Sequence, residues 1–63
     1  MLEVRMLTKS GARIVFHTDI PNTRENRKNL ERYCIDYCER ILDKFYGAYL
    51  VELSTNDIYY IGG

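Results

Sequence analysis

The most reactive side chains in this sequence are two thiols, Cys34 and Cys38, and one imidazole, His17. Residues four apart on a helix share a face, so the thiols suggest half a metal site completed by a second copy, or a redox pair. Zinc takes four nitrogen or sulfur ligands, and beyond the thiols one chain offers only His17. Helical i, i+4 spacing does not converge the Cβ vectors as a disulfide requires. Both cysteines fall on an apolar stripe, where a free thiol packs as a small hydrophobe. Packing is therefore the reading, and no metal or cofactor is expected. His17 has no identifiable nucleophile beside it and is expected to pair with Glu3 on the surface. No glycine loop for phosphate, nucleophile elbow or His-Glu zinc motif is present. An enzyme with a small-molecule substrate is not expected.

The elements that position these residues read as follows. The chain has 63 residues, 9 Lys+Arg and 9 Asp+Glu, and 46% hydrophobic residues. That allows one domain, residues 1–63, near the lower size for independent folding. Leu2, Val4 and Met6 alternate with Glu3, Arg5 and Leu7, a strand. Ala12, Ile14 and Phe16 alternate with Arg13, Val15 and His17, a second strand. A three-residue loop, Lys9-Ser10-Gly11, with Gly11 left-handed, places all six apolar alternates on one face. Asn22 and Glu25 form a capping pair that opens a helix. Its stripe of Leu30, Tyr33, Cys34, Tyr37, Cys38, Ile41 and Phe45 carries it to about Tyr46, with Gly47 as the stop. Tyr49, Val51 and Leu53 define a third strand, Ser54–Asp57 a turn, and Ile58–Ile61 a fourth strand. The expected fold is α+β, ββαββ, a four-stranded sheet packed on one face by a single long helix.

Surface features then suggest contacts. Ile35, Leu42 and Tyr46 widen the helix's apolar arc to roughly 220°, beyond the ~100° one buried face needs. They are the expected shoulder of a homodimer. The open face of the sheet is expected to show Leu7, Val15, Tyr59 and Ile61 among charged residues, together with Leu50 and Glu52, which makes it a second interface candidate. Arg24, Arg27, Lys28 and Arg32 crowd the first half of the helix, against the macrodipole. With Arg5, Arg13 and Tyr59 on the sheet they define a candidate anion or nucleic-acid surface. The plainer account of the helix charges is solvation with local pairs such as Arg32–Asp36. No apolar run is long enough for a membrane span, and the opening residues lack a secretory pattern. A cytoplasmic location is expected.

The chain opens Met1-Leu2-Glu3-Val4-Arg5-Met6-Leu7-Thr8, continues through a glycine hairpin, strand, Pro21 and capped helix, and ends in Gly62-Gly63. That order resembles the β-grasp proteins, the ubiquitin-like modifiers and small sulfur carriers. The resemblance implies Gly63 as an activated C-terminal residue and Gly62 as its unhindered neighbour. The leading expectation from the residues themselves is a non-catalytic interaction protein: a regulator, inhibitor or subunit with a protein partner, acting as a homodimer.

Overall fold

In the computed structural model, which describes residues 1–62, β1 (Leu2–Thr8) and β2 (Arg13–Thr18) form the expected hairpin. Val4 lies opposite Phe16 and Met6 opposite Ile14, so the apolar alternates share a face. The Thr8 N–H donates to the Ala12 carbonyl at 2.9 Å, and Gly11 has φ +96°. This is the three-residue loop that the apolar pattern requires, with glycine at the left-handed position.

Helix α1 spans Arg24–Arg40. Its N-cap is Thr23, whose hydroxyl accepts from the Asn26 N–H at 3.1 Å. Asn22, expected as the cap, instead accepts from Arg27 Nη1 at 2.7 Å. Both residue types cap well, and the choice moves the helix start by one residue. The C-terminus departs further from expectation. The Asp43 N–H donates to the Cys38 carbonyl and the Leu42 N–H to the Glu39 carbonyl, with Leu42 at φ +58°. This Schellman closure ends the helix six residues before Tyr46. Asp43 then accepts from the Ser10 hydroxyl and the Lys44 N–H. These hydrogen bonds, Ser10 foremost, hold the Asp43 carboxyl down at about 2. They also tie the helix end to the β1–β2 loop.

Leu42 stands where glycine is the usual residue, and it is 96% exposed. A left-handed L-residue costs roughly 1–2 kcal/mol, and the Leu42 side chain, being exposed, makes little contact in the single chain to offset that. Leu42→Gly is therefore expected to stabilise the protein by about 1 kcal/mol in urea denaturation. A loss of stability would instead place Leu42 in a contact that one chain does not contain.

Strand β3 runs Phe45–Glu52 and β4 Asp57–Gly62, joined by a turn with Asn56 at φ +62°. All pairings are antiparallel and the strand order is β2-β1-β3-β4. The fold is thus α+β, with one helix on one face of a four-stranded sheet. Phe45, Tyr46 and Gly47 belong to β3, because pairing with β1 captures them: Thr8 meets Phe45 and Leu7 meets Gly47. The irregularity between Leu7 and Thr8 leaves Tyr46 as an extra residue, a β-bulge.

The core under the helix contains Leu2, Val4, Met6, Leu30, Cys34, Cys38, Ala48, Leu50 and Ile61. Val4, Leu50 and Tyr59 lie side by side across β1, β3 and β4. Leu50 and Ile61 therefore belong to the covered face, where the expected open face had them. Tyr59 also lies on the covered side and packs against the core. The phase is reversed because both alternate sets of β3 are apolar, and β4 has four apolar residues in a row. The helix over the sheet, rather than local pattern, selects which set is buried.

Candidate functional site

The face of the sheet away from the helix is uncovered. By register it presents Glu3, Arg5, Leu7, Arg13, Val15, His17, Gly47, Tyr49, Val51, Ile58 and Tyr60. A shallow groove of about 570 Å³ crosses it, bordered by Arg5, Leu7, Arg13, Val15, Tyr46, Tyr49 and Tyr60 and floored in part by Gly47. Two sequence features shape this groove. Gly47, opposite Leu7 near the start of β3, has no side chain, which leaves a depression in the face. The bulge at Tyr46 adds an aromatic ring at its end.

The groove's aromatic wall is held in place by a charged network. Arg5 Nη1 donates to the Tyr49 hydroxyl at 3.3 Å, and its guanidinium lies 5.9 Å from the Tyr49 ring centre. The Tyr49 and Tyr60 rings are 6.0 Å apart. Arg5 also pairs with Glu3 at 2.7 Å, and Glu3 reaches His17 at 3.1 Å. The Arg5 hydrogen bond, with a smaller contribution from His17, holds the Glu3 carboxyl below its ordinary pKa. His17 is thus a surface partner of Glu3, as the hairpin register implied. These surface charges orient Tyr49 more than they stabilise the fold.

The interface residues expected from sequence are distributed differently by the fold. Leu7 and Val15 lie on the open face, with Val15 53% exposed. Tyr59 and Ile61 do not; Tyr49, Tyr60 and Ile58 take their place. The helix shoulder is dispersed: Ile35 is on α1, Leu42 in the turn and Tyr46 on the open side of β3. Tyr46 thereby joins the groove that the sequence assigned to other residues. Of the basic residues, Arg5 and Arg13 border the groove. Arg24, Arg27 and Lys28 line a second cleft of about 320 Å³, between α1 and β4, with Glu31, Tyr60 and Ile61. Arg32 is exposed on α1 outside both. Arg27 lies over the Tyr59 ring at 4.8 Å, so it is Arg27, rather than Arg5 or Arg13, that stacks on Tyr59. Among the described residues no carboxylate lies within 4.0 Å of Arg24, Arg27, Lys28 or Arg32. The expected local ion pair of Arg32 is therefore not formed.

Both cysteines are fully buried and free. Cys38 donates to the Met6 sulfur at 3.6 Å. Burial is the main cause that raises both thiols, Cys34 to about 11. Among the described residues no three His, Cys, Asp or Glu side chains gather as a metal site. The thiols are core groups. Gly62 ends β4 opposite Ala48, and a Cβ there would lie 2.8 Å from the Phe45 ring. Its glycine thus serves a close approach inside the fold. Gly63, the residue singled out for activation, lies outside the described residues. No helix is long and apolar enough to cross a membrane.

Comparison with protein families, with curated proteins and with solved structures returns no match.

Proposed function

We propose that this protein is a non-catalytic interaction module, a regulator, inhibitor or subunit that acts as a homodimer and docks another protein with the open face of its sheet. The carrying observation is the groove: aromatic and aliphatic side chains gathered with Arg5 and Arg13 on one uncovered sheet face. Aromatic and arginine side chains in such a setting are the usual anchors of protein interfaces. The distribution of apolar surface supports the reading. Among the described residues ten large hydrophobic side chains are exposed, while nine hydrophobic residues form the buried core. The accessible surface, 4547 Å², exceeds the roughly 4,250 Å² expected for a monomer of this mass. Two free buried thiols suit a reducing compartment, which supports a cytoplasmic location.

Val15→Glu and Tyr46→Glu test the reading, because both positions are exposed and neither belongs to the core. Each is expected to abolish co-purification of the native partner while leaving the circular dichroism spectrum unchanged. Equal recovery of the same partner by wild type and both variants would exclude the open face. A second reading rests on the helix cations that lack carboxylates, namely contact with nucleic-acid phosphates. A salt-sensitive mobility shift, lost in Arg24→Glu with Lys28→Glu, would favour that reading over a protein partner.

A further inference from the structure

Strands β2 and β4 are the two edges of the sheet. An edge strand presents unpaired backbone N–H and C=O groups, and natural proteins guard it with lysine, proline or inward charge. Edge β2 carries Arg13 and His17 along its length. Edge β4, Asp57-Ile58-Tyr59-Tyr60-Ile61-Gly62, carries a single charge, Asp57, at its start. It contains no lysine or proline. Its open-side residues Ile58 and Tyr60 are 56% and 83% exposed.

The space beside this edge has a definite charge. On the helix side it is the cleft lined by Arg24, Arg27, Lys28 and Glu31, next to Ile61. The three cations have no carboxylate within 4.0 Å among the described residues. Arg27 is held in place by Asn22 and by the Tyr59 ring. A strand laid along β4 would thus need apolar side chains on its open side and a carboxylate on its helix side. The segment that matches is β4 itself. Register with β3 places Asp57 and Tyr59 on the helix side, and Ile58 and Tyr60 on the open side.

We propose that β4 of a second copy adds antiparallel to β4, across a two-fold axis at Tyr59, making one continuous eight-stranded sheet. This inference rests on the homodimer reading above and gives it a geometry. Residues directly opposite in an antiparallel pair share a face. The axis at Tyr59 sets Ile58 against Tyr60 on the open side. It sets Asp57 against Ile61 on the helix side, where Arg24, Arg27 and Lys28 line the cleft. A shift of one residue would pair helix-side with open-side residues, and a shift of two would move Asp57 away from Ile61, which lines the cationic cleft. The interface is isologous, and each copy contributes one acidic and one basic end. The two open grooves then lie on the same side of the joined sheet, free for the partner.

Sedimentation equilibrium on the wild type, Asp57→Lys, and the Arg24→Glu/Lys28→Glu double variant tests this. These positions are exposed, and circular dichroism checks that each variant is folded. The wild type is expected to be dimeric at micromolar concentration, and each variant to dimerise at least about tenfold more weakly. An equimolar mixture of the two variants is expected to restore dimers to near wild-type affinity. In the mixed dimer the introduced lysine of one copy faces the two introduced glutamates of the other. At the opposite end the retained Asp57 faces the retained Arg24 and Lys28. A monomeric wild type overturns both this proposal and the homodimer reading. A dimeric wild type with unaffected variants, or a mixture that fails to recover, overturns the β4 geometry alone. Val15→Glu, on the far strand β2, is expected to leave the dimer intact.

Discussion

Leu50→Ala is expected to cost about 3 kcal/mol in urea denaturation, within the range for buried leucine truncation. Leu50 is fully buried in β3, between Val4 on β1 and Tyr59 on β4 and beneath the helix. The cavity would open where three strands and α1 meet, so collapse of the surroundings can recover little of the lost contact. A chain of 63 residues has roughly 3–9 kcal/mol of stability in total. The variant should therefore retain only about 0–6 kcal/mol, with its urea midpoint lowered in proportion. Val51→Ala, one residue on and facing the open side, should cost less than about 1 kcal/mol. The opposite ranking would mean that the phase of β3 is reversed and that Tyr49 and Val51 are the buried pair.

Alkaline pH is expected to destabilise the protein through Cys34. Burial pushes the folded thiol up to about 11, from its ordinary value of 9.0. Because the unfolded chain ionises first, the stabilising contribution is complete below pH 9 and is lost as pH rises towards 11. The loss amounts to about 2 kcal/mol at the upper end. Cys38 is raised in the same direction, chiefly by burial, and adds to it. Stability measured against pH for the wild type and Cys34→Ala isolates the effect from tyrosine and lysine titration. The two curves should converge between pH 9 and 11. Parallel curves would show that Cys34 meets water in the folded state. Native thiols should likewise resist alkylation until the chain unfolds.

The sequence revealed the parts of the fold in which one phase carries the charges. In β1, Glu3 and Arg5 separate Leu2, Val4 and Met6; in β2, Arg13 and His17 take the opposite phase to Ile14 and Phe16, and Gly11 fits a single loop length. The register and the Glu3–His17 pair followed directly. The helix end was hidden because Ile41 and Phe45 continue the three-to-four spacing of Leu30, Cys34 and Cys38. Periodicity carries no record of the Schellman turn at Leu42, a non-glycine left-handed residue. The hydrogen bonds from the β1–β2 loop to Asp43 are tertiary, as is the capture of Phe45 by Thr8. The site was legible in composition more than in position. An open face with apolar groups, arginine and tyrosine was readable, and so were Leu7, Val15, Arg5 and Arg13. Tyr49 and Tyr60 were missed because adjacent apolar residues in β3 and β4 leave the phase undetermined until a helix covers one side. Gly47 within an aromatic run was the available signal: it marks a depression in a sheet better than a helix stop.

The proposed docking surface is the uncovered face of the sheet. Site-specific photo-crosslinking in native cells tests it most directly, with a crosslinking amino acid at Val15 or Tyr46 on the open side and at Asp36 or Glu39 on the exposed surface of α1. A discrete covalent adduct with another protein is expected from Val15 and Tyr46, and none from the two helix positions. Adducts from the helix positions alone would contradict it.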